Sequence, residues 1–290
     1  MSFACAVLLV AVMASVILFI SSRAFLVFFQ GVDVGTFFTS AQWDPTGGSG
    51  VASFGAGGLI LGTMVTSLLA VIIAVPLAIG MAVFFTEVAP KSVVNVLQPL
   101  IEIFTGMPSV VMGFLGLVVL VPFLQKVSSP ITGGLTTGGY GWGAATLVLV
   151  MMILPTITSI SIDALRAVPN SIREASLALG ATRWQTIASA VIPAASAGLG
   201  TAVVLGMTRA VGETLAVSLV LEGDGLPDKL FSLAVFFQPN VNITMLIARD
   251  FGETSGIAED AYWTLAFVLL AISFLFICVS RFLTSRSVYK

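Results

Sequence analysis

Two charges stand where charge is costly. In Thr208-Arg209-Ala210-Val211-Gly212-Glu213-Thr214, an Arg and a Glu interrupt an apolar run that extends from Ala194 to Leu221. Counted from Ala194 at about 1.5 Å per residue, Arg209 lies roughly 22 Å into that run, near or somewhat beyond the middle of a hydrocarbon layer about 30 Å thick. A charge at that depth costs at least about 2.5–3.5 kcal/mol on insertion scales. Pairing lowers the cost without removing it, because buried ion pairs often fail to recover their desolvation. The i, i+4 spacing predicts that Arg209 and Glu213 share one helical face. A guanidinium forks well onto tetrahedral oxyanions, so the chemistry expected is anion passage. Arg209 would meet the anion, and Glu213 would partner Arg209 when no anion is present. The alternative is a neutralised pair that fastens this helix to its neighbours.

A second group of residues suggests a mechanical task. In Val168-Pro169-Asn170-Ser171-Ile172-Arg173-Glu174-Ala175-Ser176-Leu177-Ala178-Leu179-Gly180-Ala181-Thr182-Arg183-Trp184-Gln185-Thr186-Ile187, Ser171 and Glu174 have capping-box spacing, as do Thr182 and Gln185. Gly180 stands between them where a left-handed helix terminus is expected. The segment predicts a short helix, a sharp glycine turn and a second helix that leads through Pro193 into the next apolar run. Such a knob, exposing Ile172, Leu177, Leu179 and Trp184, would suit docking of a partner; the alternative is an amphipathic helix resting on lipid headgroups.

The elements that must position these residues are membrane spans. The chain has 290 residues, 58% hydrophobic and 9% charged, with no His, whereas soluble domains average about 25% charged residues. Six runs are long enough to cross a bilayer: 3–29, 59–85, 97–123, 140–160, 194–221 and 263–282. Continuous runs such as Leu68-Leu69-Ala70-Val71-Ile72-Ile73 do not alternate as barrel strands do. The fold class expected is therefore an all-α polytopic bundle of about six transmembrane helices, a single domain over 1–290 with a cytoplasmic loop at 161–193. The first run exceeds the apolar segment of a signal peptide and lacks a charged leader, so it is read as a span. Pro99, Glu102, Gly106, Pro108, Gly113 and Gly116 crowd the third run, which is expected to face the bundle interior because irregular backbone needs protein or water beside it. Glu102 is expected near the interface, and Thr63, Thr66, Thr105 and Ser109 are expected to bond within their own helices.

Charge distribution gives an orientation. With the 161–193 loop inside the cell, Lys91, Arg166, Arg173, Arg183, Arg281, Arg286 and Lys290 gather there, seven of the twelve cations, as the positive-inside rule favours. Lys126, Lys229 and Arg249 fall outside. Both termini are then cytoplasmic, and the acidic residues Asp33, Asp44, Glu222, Asp224, Asp228, Asp250, Glu253, Glu259 and Asp260 face outward. The balance of 12 Lys+Arg against 14 Asp+Glu leaves no basic face for nucleic acid. Without His, triad chemistry and most catalytic zinc sites lose their usual member. Cys5 and Cys278, both in apolar runs, read as small buried hydrophobes, and no metal site is expected. The Gly-rich stretches at 46–50 and 132–139 are connectors, and no P-loop occurs anywhere in the chain.

Several of these motifs resemble a known family. Glu174-Ala175-Ser176, Gly180 and Ile192-Pro193 are similar to the EAA loop of ABC importer permeases, Glu-Ala-Ala-x3-Gly-x9-Ile-x-Leu-Pro. Ser176 replaces the second Ala, Ala190 stands at the Ile position, and Ile192 stands for Leu. Arg209-Ala210-Val211-Gly212-Glu213-Thr214-Leu215-Ala216-Val217 resembles the Arg-Ala-Leu-Gly-Glu-Thr-Met-Ala-Val signature of phosphate-specific ABC permeases of the PstC type. Gln42-Trp43-Asp44-Pro45, Thr86-Glu87-Val88-Ala89-Pro90, Met107-Pro108-Ser109-Val110-Val111-Met112-Gly113 and Ala248-Arg249-Asp250-Phe251 extend the likeness over nearly the whole chain.

The resemblance implies a type I importer permease fold in the cell membrane of a prokaryote. Glu174, Ala175, Ser176 and Gly180 would belong to a coupling helix that seats in a separate ATPase. The partners implied are a PstA-like permease, a PstB-like ATPase dimer that holds ATP and Mg, and a PstS-like binding protein. Inorganic phosphate would be the cargo, with no cofactor on this chain and no catalysis by it. Arg209 alone does not separate phosphate from molybdate or sulfate. A self-sufficient anion channel or secondary transporter would need the same Arg–Glu pair but no capped knob.

Overall fold

Hydrocarbon offers backbone amides no water, so a chain this apolar satisfies them within helices. The computed structural model describes residues 2–48, 50–131, 138–223 and 233–285. The Gly-rich stretch at 132–137 and Ser49 lie outside them, as do Asp224, Asp228, Lys229, Arg286 and Lys290.

The first apolar run forms α1 (Ser2–Ala24) and the single turn α2 (Leu26–Phe29). Next comes α3 (Val34–Thr39), whose N-terminus Asp33 caps by accepting the Thr36 N–H at 2.7 Å. Two-residue strands β1 (Trp43–Asp44) and β2 (Ser53–Phe54) pair antiparallel, with Trp43 opposite Phe54. They lead into α4 (Gly57–Val83), which ends in a π-helical turn at Phe84–Val88. Then follow α5 (Lys91–Gly106), α6 (Ser109–Leu115), a π-helical turn at Gly116–Leu120 and α7 (Val121–Ile131). The long α8 (Trp142–Arg166) precedes the knob, made of α9 (Asn170–Ala178) and α10 (Arg183–Thr186). A π-helical turn at Ile187–Val191 and α11 (Ile192–Ala194) lead to α12 (Ser196–Gly212) and α13 (Leu215–Leu221). The chain closes with α14 (Ile243–Asp250) and α15 (Ile257–Ser285).

Among the described residues, five helical stretches are long and apolar enough to cross a membrane: Phe3–Phe29, Gly57–Val88, Ser109–Ser128, Trp142–Arg166 and Ile257–Phe282. Arg183–Ala194 and Ser196–Gly212 meet at 69° and make a sixth when taken as one broken span.

Two spans differ from the sequence expectation. The third begins at Ser109 rather than Leu97, because Pro108 lacks an N–H and biases Met107 away from helix; Met107 has ψ 135°. Pro99, Glu102 and Gly106 therefore lie on α5, a separate helix that buries only Ile101. Glu102 there accepts a hydrogen bond from Gln98 Nε2 at 3.0 Å. The fifth run, expected to be one helix over 194–221, breaks at Glu213–Thr214, where Glu213 is extended (φ −74°, ψ 123°).

The core is built by α4, α8 and α12. Small residues on α12 recur every four positions: Gly198, Ala202, Gly206 and Ala210. A Cβ on Gly206 would lie 2.5 Å from Ile157 Cγ1, and one on Gly198 would lie 2.5 Å from Ala164 Cβ. This close approach is what small residues allow when hydrophobicity cannot drive helices together in lipid. Gly62 of α4 meets the Trp142 ring of α8 in the same way. Leu149, Met152, Ile153 and Ile157 of α8 are buried between them, and α15 adds Leu265, Val268 and Ile272. A second cluster, at the end carrying the 161–193 loop, joins Val83, Phe85, Leu165, Val168, Ile187, Val191 and Leu199.

Helix α1 leans on α15, with Phe19 edge-on to Trp263 at 5.3 Å, and leaves most of its surface exposed. Cys5 and Cys278 are exposed rather than buried. Lipid tails are as apolar as a protein core, so a small hydrophobe on a span has no need to face inward.

Candidate functional site

Arg209 lies in the last turn of α12, beside the small-residue stripe that draws this helix against α8. Its Nη1 donates to Thr156 Oγ1 at 2.9 Å, across to α8. The side chain is partly exposed. Among the described residues no carboxylate lies within ion-pair distance of it. The guanidinium therefore keeps donors and a full charge to offer, and Thr156 holds it in place with a neutral hydroxyl.

Glu213 does not partner Arg209 as expected, nor does it share a helical face with it. The helix ends at Gly212, so the i, i+4 geometry is lost. The Glu213 side chain instead turns toward α13 and accepts the Ala216 N–H through Oε1 at 3.3 Å. A carboxylate near a helix N-terminus satisfies amides that lack an intrahelical acceptor. The Glu213 carbonyl, freed by the break, accepts from Thr244 Oγ1 at 3.2 Å. The single Thr244 O–H is shared with Asn242 Oδ1 at 3.1 Å, and Asn242 caps α14 by accepting the Met245 N–H at 2.8 Å. The break is thus braced from α14 at the Glu213 carbonyl.

Three of the remaining hydroxyls follow the sequence expectation. Thr63, Thr66 and Thr105 donate to Leu59 O, Gly62 O and Ile101 O of their own helices. Thr63 Oγ1 also accepts the Ile243 N–H at 3.2 Å, tying α4 to the start of α14. Among the described residues, no cluster of three or more Cys, Asp or Glu side chains converges in the manner of a metal site.

The knob is formed as a helix, a glycine turn and a second helix. Gly180 has φ +84°, the left-handed conformation that costs an L-residue with a Cβ roughly 1–2 kcal/mol. Its N–H bonds to Leu177 O at 3.0 Å, and the Ala181 N–H reaches Ser176 O at 3.3 Å. This pair of reversed bonds is the Schellman termination. The Thr182–Gln185 capping box is present in both halves. The Ser171–Glu174 box is absent: α9 starts at Asn170, with Pro169 as its N-cap at φ −59° and ψ 141°, so Ser171 is already helical. Ser176 Oγ lies 3.0 Å from Thr186 Oγ1 and joins the two arms.

Leu177, Leu179 and Trp184 protrude, with Leu179 90% and Trp184 70% exposed, and Glu174, Ala175 and Gly180 share that exposed surface. Ile172, expected on the same face, is half-buried against the second cluster.

Sequence reasoning missed three participants. Thr156 and Thr244 are single hydroxyls in apolar company, and polarity inside a span was the available signal. Arg173 reaches Glu87, 86 positions away, with Nη2 to Oε1 at 2.7 Å; no local pattern announces that pair.

Comparison with known proteins agrees with this architecture. Residues 74–288 match the family model of the binding-protein-dependent transport system inner membrane component. The chain is 43% identical over 289 residues to the probable ABC transporter permease protein YqgH of Bacillus subtilis, covering 98% of this chain and 88% of that one. It is 35% identical to the phosphate transport system permease protein PstC of Mesorhizobium japonicum, over 87% of this chain and 78% of the relative. Among solved structures, a bacterial alginate ABC transporter in complex with its pentasaccharide-bound periplasmic protein aligns with TM-score 0.62 at 16% identity, covering 96% of this chain and 94% of that one. The inward-facing MetNI methionine transporter aligns with TM-score 0.56 at 19% identity, over 80% and 94%. At those identities the likeness concerns the fold, which is that of a type I ABC importer permease. A broken fifth span, a capped knob and close relatives over almost the whole length lead to one assignment: the chain belongs to the family of binding-protein-dependent transport system inner membrane components, as a multi-pass permease of the PstC type.

Proposed function

We propose that this permease forms half of the translocation pathway of an ATP-driven importer for inorganic phosphate, with Arg209 as the anion-meeting group. The observation that carries the reading is the state of Arg209: partly exposed in the bundle, held by the Thr156 hydroxyl at 2.9 Å and paired with no carboxylate among the described residues. A guanidinium so placed matches a passing oxyanion in charge and in geometry. Thr156 is a neutral partner, so an arriving anion displaces no ion pair. Glu213 keeps the break open by capping α13, a positioning role in place of the charge-exchange role read from spacing.

The other half of the pathway is assigned to a PstA-like permease, and ATP with Mg to a PstB-like ATPase dimer. A PstS-like binding protein would deliver phosphate from the opposite side. The exposed Leu177, Leu179 and Trp184 suit a hydrophobic cleft on the ATPase, with Glu174, Ala175, Ser176 and Gly180 shaping the surface that enters it. The cation distribution supports placing this knob and both termini in the cytoplasm of a prokaryotic cell.

The test is reconstitution of the four-component assembly in liposomes loaded with ATP. Phosphate uptake that requires ATP and survives excess sulfate and molybdate is expected. Uptake by the purified chain alone, without the ATPase, would make it a channel or secondary transporter; uptake suppressed by either competitor would change the substrate.

A further inference from the structure

One side chain of the knob ties it to the bundle alongside the packing of Ile172. Helix α9 buries none of its residues fully. Beside it lies an open groove of about 330 Å³ lined by residues including Ala164, Val168, Ile172 and Ala195.

Arg173 makes the connection. Its Nη2 lies 2.7 Å from Glu87 Oε1, and its Nε is 3.3 Å from both Glu87 oxygens. The same guanidinium donates through Nη1 to Val168 O at 2.7 Å and through Nη2 to Leu165 O at 3.1 Å. Leu165 is in the last turn of α8 and Val168 lies just past it, where a cation is favoured by the helix dipole. The side chains of Arg173 and Glu87 are 20% and 12% exposed, so solvent screens the pair weakly. Glu87 itself belongs to the π-helical turn Phe84–Val88 that ends α4. One planar fork therefore holds α9, the end of α8 and the end of α4 together.

Both α4 and α8 reach the candidate pathway. α8 carries Thr156, which holds Arg209; α4 carries Thr63, which accepts from Ile243 at the start of α14, next to Thr244 and the Glu213 break.

We propose that Arg173 and Glu87 form the staple through which displacement of the knob is transmitted to α4 and α8. Both are positioning residues that touch neither cargo nor nucleotide. The proposal rests on the importer reading above. A guanidinium is suited to the task because its rigid fork satisfies a carboxylate and two carbonyls at once, which an ammonium on a flexible stem does not match.

The test compares the reconstituted wild-type assembly with Glu87→Gln, Glu87→Asp and Arg173→Lys, reading phosphate uptake and ATP hydrolysis in the same vesicles. Glu87→Gln is expected to lower uptake per ATP hydrolysed at least fivefold while hydrolysis stays within twofold of wild type. Arg173→Lys should fall in the same direction, and Glu87→Asp, which keeps the charge, should recover more than half of the lost ratio. A merely structural pair would lower uptake and hydrolysis in parallel; an unchanged ratio in Glu87→Gln therefore overturns the staple. Should that variant fail to assemble, Glu87→Asp and Arg173→Lys decide by the same ratio. A wild-type assembly without ATP-dependent uptake would overturn the importer reading instead, and the staple with it.

Discussion

Replacing Gly180 by Ala isolates the contribution of a single backbone conformation. Gly180 stands at φ +84°, and a Cβ built there meets nothing within 4 Å. Steric crowding thus contributes nothing, and the effect of Ala is the left-handed penalty alone, about 1–2 kcal/mol. At about 1.4 kcal/mol per factor of ten, the turn should open roughly 5- to 30-fold more often. The amides that report this are those of Gly180 and Ala181, whose bonds to Leu177 O and Ser176 O close the turn. Hydrogen–deuterium exchange of peptides covering 175–184, measured on the permease in nanodiscs, should speed up by that factor, with peptides from α8 unchanged. Gly180→Asn should show a smaller increase, because Asn tolerates the left-handed region better than Ala. Exchange in Gly180→Ala equal to wild type, or faster exchange in Gly180→Asn than in Gly180→Ala, would refute the assignment of this glycine to backbone conformation.

Other positions give separate checks. Gly206→Ala forces a Cβ to 2.5 Å from Ile157 Cγ1 and should cost about 1–3 kcal/mol by overpacking; Gly212→Ala, with nothing within 4 Å, should be close to neutral, both read from thermal unfolding in detergent. Thr182→Ala removes the side chain that accepts the Gln185 N–H at 3.3 Å and should cost about 0.5–2 kcal/mol of local stability, visible as faster exchange over 182–187. The Thr36 N–H, with the Thr36 hydroxyl, holds the Asp33 carboxyl below its ordinary value of 3.8. Stability from this cap is therefore complete above the ordinary value and lost as pH falls through the depressed one; a carboxyl NMR titration midpoint at or above the ordinary value would contradict it.

The sequence made some of this molecule legible because the deciding physics is local. Gly180 and the Thr182–Gln185 box act within six residues of chain, and apolar length alone marks most spans. The break after Gly212 was not legible, since Gly-Glu-Thr carries no strong stop signal and depends on Thr244 arriving from 31 positions away to pair the exposed Glu213 carbonyl. Pro108 carries a stop signal, but apolar residues continue on both sides of it, so hydropathy alone does not separate α5 from α6. Ser171 lost its capping role because Pro169, two residues earlier, already supplied the extended entry to α9. Arg209 was recognised from the cost of its charge, whereas its partner Thr156 depends on how α12 and α8 are brought together by Gly206.

The most direct measurement is ATP-driven uptake of radiolabelled phosphate by the reconstituted assembly, with wild-type permease against Arg209→Ala and Arg209→Lys. The account predicts that Arg209→Ala abolishes most uptake, and that Arg209→Lys, which keeps the charge but loses the fork, retains an intermediate rate. Wild-type uptake by Arg209→Ala would remove Arg209 from the pathway and contradict the account.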